Sequence, residues 1–314
     1  MGDGYKRIIL VTDGSPAARA TEQSALDLAK EHSASVLVVD TVRRPSLASK
    51  WLTSNSEDLF DIVVSEKQER LEKVAAVFKE WNIDVKVDVL IGNSSEEISR
   101  LAVTENAGLV IRYMKGHKSR ATSPFGTTAR NLMRVCPCPL LLIGDKPVSE
   151  PVVLACVNPE HDDKENEAIL GEAKTLAGES KNLIALYCWK FYGGEFMREY
   201  TNEETLQSYL EEAEQAYLGI FDHFRQTHEL SAFGQNVQLE NGDPVEVIPE
   251  VCKQKSVDVV VMSSASQNHP LHRLLGSTVE SVLDDLPCAL LVVKPLGFKS
   301  PIKPTHAQTN IGQS

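Results

Sequence analysis

Sliding the chain by 150 positions brings its two halves into phase, and this internal repeat limits the fold more than any single motif does. Gly92 meets Gly242, Glu96 meets Glu246 and Ile98 meets Ile248. Farther on, Gly126 meets Gly276, Thr128 meets Thr278, and Pro137-Cys138 meets Pro287-Cys288. The register holds without a gap from Val87 to Ile143; upstream the offset falls to 145, so the halves differ there by a short insertion. A chain of 314 residues accommodates the two copies as domains of about 150 residues, each able to bury a core. The pattern indicates duplication followed by divergence.

Within each copy, apolar runs alternate with amphipathic segments. "RIILVTDGS" reads as a buried strand ended by turn residues, and Pro16 suits the first turn of the helix after Ser15. Leu26, Leu28 and Ala29 supply part of that helix's apolar face. "ASVLVVDTV" is a second strand, a long helix runs from near Glu57 to Trp81, and "DVKVDVL" is the third strand. Ser94-Ser95-Glu96-Glu97 carries a helix-capping signature, after which "GLVIRY" and "PLLLIG" complete the set. The second copy repeats the order with "PVVLACVN", "NLIALYCW", "NVQLE", "VDVVVMS" and "CALLVVK". Strands apolar along their whole length and alternating with helices predict a parallel sheet covered on both faces. The expected fold class is therefore α/β: two tandem doubly wound five-stranded domains, Rossmann-like, of strand order 3-2-1-4-5, packed as a pseudo-twofold pair. The first domain spans 1–146 and the second 151–296, joined by a short linker from Pro147 to Pro151. A polar, proline-bearing tail over 297–314 is expected to be disordered.

Charge and cysteine usage exclude several classes. A net charge of −12 disfavours nucleic acid, whose binding needs clustered Lys and Arg. No stretch approaches the roughly 18 apolar residues of a membrane span, and the N-terminus lacks signal-peptide character, so a cytoplasmic location is expected. The six cysteines lie in or beside apolar runs and read as reduced core residues. Cys136-Pro137-Cys138 has no His or second Cys pair at ligand spacing, so no metal is expected.

Open α/β sheets bind ligands at the carboxyl ends of the strands where the strand order reverses. Here that point lies between the first and fourth strands. Asp13 ends the first strand, and its carboxylate can accept from ribose hydroxyls. After the fourth strand, "MKGHKSRATSPFGTTA" carries Gly116 and Gly126 around a basic, hydroxyl-rich run. Gly126 opens the next helix, whose N-terminal N–H groups suit an anion; Thr127 and Thr128 add hydroxyl donors, and Lys115, His117, Lys118 and Arg120 add positive charge. The plain structural alternative is that Gly116 permits a turn, Gly126 a close helix approach, and Asp13 a helix cap.

These residues and the doubled architecture resemble the universal stress protein family, in its tandem E-type form, from about residue 5 to 296. The family's phosphate motif is Gly, two residues, Gly, nine residues, then Gly followed by Ser or Thr. Gly116 and Gly126-Thr127 match it, but Tyr113 stands where the leading glycine belongs. In the second half Gly276-Ser277 match, while Ser263 and Ser266 replace the other two glycines and Asn158 replaces the aspartate. The resemblance implies an adenine nucleotide, ATP or AMP, bound in the N-terminal half through Asp13, Gly116, Gly126, Thr127 and Thr128. It also implies a degenerate second site at Asn158, Ser263, Ser266, Gly276, Ser277 and Thr278. Serine restricts dihedrals that glycine leaves open, and Pro270 removes an N–H donor.

The expected role is regulatory. No GxxxxGK[ST] loop or G-x-S-x-G elbow is present, and the carboxylate pairs Asp162-Asp163 and Asp284-Asp285 point apart on a helix. A competing reading is a scaffold that holds no nucleotide and engages an apolar ligand or protein partners, and a homodimer of the pair stays compatible with either. Tyr209 and Tyr217 stand at helical spacing and are expected in the core, while Trp189 to Phe196 are a candidate apolar face.

Overall fold

The computed structural model describes residues 4–44, 56–114, 126–160, 163–178, 182–190, 199–228, 230–233, 236–264, 277–283 and 285–304. The first half runs β1 (Arg7–Val11), a 3-10 turn (Pro16–Ala18), α1 (Arg19–His32), β2 (Ser35–Val42), α2 (Ser56–Glu80) and β3 (Val85–Ile91). It continues with α3 (Ser94–Thr104), β4 (Leu109–Tyr113), α4 (Thr127–Val135) and β5 (Leu140–Ile143). The second half runs β6 (Val153–Cys156), α5 (Asp163–Ala177), β7 (Leu183–Trp189), α6 (Glu203–Thr227) and a 3-10 turn (Leu230–Phe233). It ends with β8 (Val237–Asn241), α7 (Pro244–Gln254), β9 (Val259–Ser263), α8 (Ser277–Val282) and β10 (Ala289–Val293).

Each half has the expected strand order, and the halves share one sheet: β3-β2-β1-β4-β5-β10-β9-β6-β7-β8. All pairs are parallel except β5 with β10, which is antiparallel. That seam pairs Leu140 with Val292, Leu141 with Leu291 and Leu142 with Leu290. Since Leu141 and Leu291 are themselves 150 positions apart, the pseudo-twofold axis passes between them. The edge strand of each copy thereby satisfies the backbone groups of the other, removing two open sheet edges.

Two apolar layers cover the sheet. Leu10, Val38, Phe78, Ile111, Tyr187 and Leu291 contribute to one, and Ile9, Val39, Ile98, Leu132, Val260 and Leu290 to the other. Each layer crosses the seam, so the halves share their core. Polar contacts also cross it: Tyr5 Oη donates to Glu172 Oε2 at 2.8 Å, and Arg134 pairs with Glu280 at 2.6 Å. The linker is part of this packing, because Val148 is buried and its N–H donates to Ser24 Oγ at 2.8 Å.

The duplication survives in fine detail. Gly92 and Gly242 both have φ +151°, and a Cβ added there would come within 2.8 Å of Glu97 and 2.7 Å of Val247. The next residues, Asn93 and Asp243, cap α3 and α7 by accepting from the N–H groups of Ser95 and Val245. The cap of α3 is thus Asn93, one residue before the serine pair that the sequence points to.

Two expectations change. Tyr217 packs in the core, stacked on Trp189 at 4.8 Å, but Tyr209 is 49% exposed, and the buried side chains of α6, Phe221 and Phe224, lie in its C-terminal half. Trp189 is itself buried and fills the core; residues 191–198 lie outside the described ones. The tail is ordered at its start: Ser300 Oγ donates to Val135 O at 2.6 Å, satisfying a carbonyl in the last turn of α4. Residues 305–314 of the tail lie outside the described residues.

Candidate functional site

The order β2-β1-β4 places the first crevice beyond Val11 and Tyr113, and β7-β6-β9 places the second beyond Cys156 and Ser263. In the first, the chain leaves β1 through Thr12, Asp13 and Gly14. Thr12 N–H donates to Val39 O at 3.0 Å, which carries the sheet ladder one residue past the strand. Thr12 Oγ1 donates to Glu22 Oε1 at 2.7 Å and accepts from Gly14 N–H at 3.0 Å. Asp13 Oδ1 accepts from Ser15 N–H at 3.0 Å, so one carboxylate oxygen shapes the turn ahead of Pro16. Burial raises the Glu22 carboxyl above its ordinary range; the Thr12 hydroxyl opposes this, and the Asp13 charge adds to it.

Across the gap, Met114 N–H donates to Ile143 O at 2.8 Å and Gly126 N–H to Met114 O at 3.4 Å. Gly126 is the N-cap of α4 with φ −71° and ψ 161°, extended backbone that any residue adopts, and no side chain caps this helix. Thr127 is exposed and Thr128 half-buried at its first turn. Gly116, Lys115, His117, Lys118 and Arg120 lie outside the described residues.

Tyr113, at the position of the missing glycine, donates its hydroxyl to Asp145 Oδ1 at 2.7 Å. Asp145 follows β5, so the phenol is drawn to the β5 side of β4, away from β1. Burial first, then Asp145, raise its pKa to about 12.

The residue before it was not evident from motif spacing. Arg112 pairs in register with Val11 on β1 and, by strand alternation, shares the sheet face of Val110. Its Nε is buried without a hydrogen-bond partner. Burial lowers the guanidinium pKa from its ordinary value, and the charges of Asp40 and Asp13 partly offset this. Asp40 is engaged by Lys67 and by Thr41 N–H. An arginine inside an otherwise apolar strand, one place before the crevice, was the signal available in the sequence.

The second crevice is built differently. Asn158 Oδ1 accepts from Glu160 N–H at 3.0 Å, the counterpart of the Asp13 turn. Asn166, 1% exposed, takes Asn158 by both backbone groups: its Oδ1 accepts from Asn158 N–H at 2.9 Å and its Nδ2 donates to Asn158 O at 2.8 Å. With the offset of 145, Asn166 matches Thr21, whose buried Oγ1 has no hydrogen-bond partner. Met262 matches Arg112 and is buried in the apolar layer; Ser263 is buried beside it. Ser277 and Thr278 begin α8, a helix of only six residues. Ser266 and Gly276 lie outside the described residues.

Among the described residues, no three His, Cys, Asp or Glu side chains gather to hold a metal ion, and no helix is long and apolar enough to cross a membrane. The six cysteines are thiols, with Cys136 Sγ 3.8 Å from Cys138 Sγ. A cleft of about 660 Å³, lined by Asp27, Lys30, Glu31, Val148, Glu150 and Leu176, lies at the C-terminal end of α1 rather than at either crevice.

The profile described as the universal stress protein family matches residues 4–144 and again 153–294. The chain belongs to the universal stress protein family. It is 25% identical to universal stress protein E of Photorhabdus laumondii over 250 residues, covering 77% of this chain and 79% of that one. The Escherichia coli K12 protein of the same name is 25% identical over 257 residues, with 77% and 78% coverage. Among solved structures, a putative universal stress protein from Pseudomonas aeruginosa is similar in fold with a TM-score of 0.66 at 20% identity, covering 93% of this chain and 94% of that one. One from Archaeoglobus fulgidus gives 0.61 at 17%, covering 92% and 98%. In this chain each of the two matched stretches forms one half of the single ten-stranded sheet.

Proposed function

We propose that this universal stress protein binds an adenine nucleotide, ATP or AMP, in its N-terminal crevice and acts as a regulatory rather than catalytic component of a stress response. The observation that carries the reading is the pairing of Asp13, past the end of β1, with the side-chain-uncapped N-terminus of α4 across the β1–β4 gap. Donors at the helix N-terminus suit phosphate, and a carboxylate suits the ribose hydroxyls. The Tyr113 hydroxyl, held by Asp145, supports the reading because it draws the ring toward β5. The second half acts as the structural partner, since Asn166 ties down the end of β6 and Asn158 stands where the first half has Asp13. The apolar Met262 in place of Arg112 favours the scaffold role for that half, with protein partners met through its surface.

Calorimetric titration of the full chain with ATP and AMP, beside Asp13→Ala and Gly126→Asp, tests the proposal. Gly126→Asp suits the N-cap backbone and should not lower stability, yet it places a carboxylate where phosphate is proposed. Binding by the parent and its loss in both variants is the expected result. Binding that neither substitution changes removes the site.

A further inference from the structure

The position of Arg112 is costly unless something anionic arrives. A guanidinium nitrogen drawn out of water loses hydration that only a hydrogen bond replaces. Here Nε has no partner. The two nearest acidic groups are already used: Asp40 by Lys67 and Thr41 N–H, and one oxygen of Asp13 by Ser15 N–H. The fold itself does not need arginine at this place, because the second half puts the apolar Met262 there and buries it in the same layer. The difference between the positions is therefore one of charge, in the half whose crevice keeps Asp13 and the longer helix terminus.

We infer that Arg112 is the anion-recognition residue of the first crevice, binding the ligand's phosphate and selecting a phosphorylated nucleoside over a neutral one. It compensates for the leading glycine that Tyr113 replaces: close approach of backbone amides is exchanged for a side-chain fork, whose donors match phosphate oxygens two at a time. The register of Arg112 with Val11 puts it on the strand bordering the gap, two residues before β4 gives way to the segment that leads in sequence to Gly126. An arriving phosphate would supply the hydrogen-bond acceptor that Nε lacks. The inference rests on the nucleotide reading for the identity of the ligand, but not for its charge.

The test uses the full-length chain with adenosine, ATP and inorganic tripolyphosphate as calorimetric probes, comparing the parent with Arg112→Met and Arg112→Lys. Arg112→Met copies the residue the second half already accommodates. It should weaken ATP roughly 10- to 100-fold, the worth of a charge-assisted hydrogen bond, and abolish tripolyphosphate binding while adenosine affinity stays the same. Its thermal midpoint should hold or rise, since a half-buried side chain with a buried, partnerless Nε has been removed; a purely structural arginine would lower it. Arg112→Lys keeps the charge without the fork and should fall between the two, and it carries the test should Arg112→Met not fold. Equal ATP and tripolyphosphate affinities in the parent and both variants overturn the inference and leave the nucleotide reading intact. Tripolyphosphate binding that depends on Arg112, without any binding of ATP or adenosine, upholds the inference and removes the adenine nucleotide. A parent that binds none of the probes removes both.

Discussion

At the end of β6, Asn166 reaches back and holds Asn158 by its N–H and its carbonyl; at the end of β1 the same position is Thr21, whose buried hydroxyl reaches nothing. The second crevice continues in this vein, with Met262 filling the place of Arg112 and Ser263 buried beside it. One copy has spent its polar groups on itself, while the other keeps a carboxylate, a side-chain-uncapped helix end and a partnerless guanidinium nitrogen around its gap. The difference teaches how a duplicated fold divides labour. The copies keep identical backbones where packing demands it, as at Gly92 and Gly242, and diverge at the strand ends, where the sheet's stability is least concerned.

The largest effects should come from what the copies share. Leu141→Ala and Leu291→Ala both delete a fully buried side chain at the pseudo-axis, and each should cost about 2–5 kcal/mol. Urea unfolding should show a single transition in both variants, and two separate transitions would mean that the halves fold independently. Next comes the locking residue. Asn166→Ala strands two part-buried backbone groups and should cost about 1–3 kcal/mol, whereas Thr21→Val removes a partnerless hydroxyl and should be neutral or stabilising. Comparable losses in the two variants would erase the contrast.

The caps offer a finer comparison. Asn93→Ala and Asp243→Ala should each cost about 1 kcal/mol near neutral pH. Accepting from Val245 N–H lowers the Asp243 pKa below its ordinary value, with Lys190 assisting. Its contribution is therefore present above the unfolded pKa and lost as pH falls through the folded one. Denaturation at pH 7 and at pH 2 should show the Asp243 effect shrinking while the Asn93 effect persists. The smallest effect should be at Glu172, whose carboxyl is raised by burial, although Tyr5 Oη pulls it back. Stability from its protonated form is complete below the unfolded value near 4.5 and falls as pH rises through the folded one. Glu172→Gln keeps the Tyr5 hydrogen bond, so it should be more stable than the parent at pH 7, with the advantage vanishing in acid.

The duplicated crossover fold was legible because its signals are local. Five apolar runs per copy, with amphipathic helices between them, dictate parallel strands covered on both faces, and the fixed offset announces the repeat. Asp13 was legible as a turn residue directly after an apolar run, and Gly126 as a helix-start residue ahead of "TTARNLMRV". Tyr209 misled because helical spacing alone does not say which turns of α6 are covered, and the buried side chains are Phe221 and Phe224. The start of the tail misled because its polar composition hid a hydroxyl that finds the end of α4.

By itself, then, the sequence determined the two domains, their strand order and the strand ends at which a ligand would sit. Only the tertiary structure decided that β5 and β10 join the domains into one sheet, that Asn166 ties down the end of β6, and that Tyr113 leans toward Asp145 while Arg112 sits half-buried with its Nε unpaired. The reason is separation along the chain. Periodicity records which face of an element is apolar, but whether a polar group meets its partner depends on residues that only folding brings together.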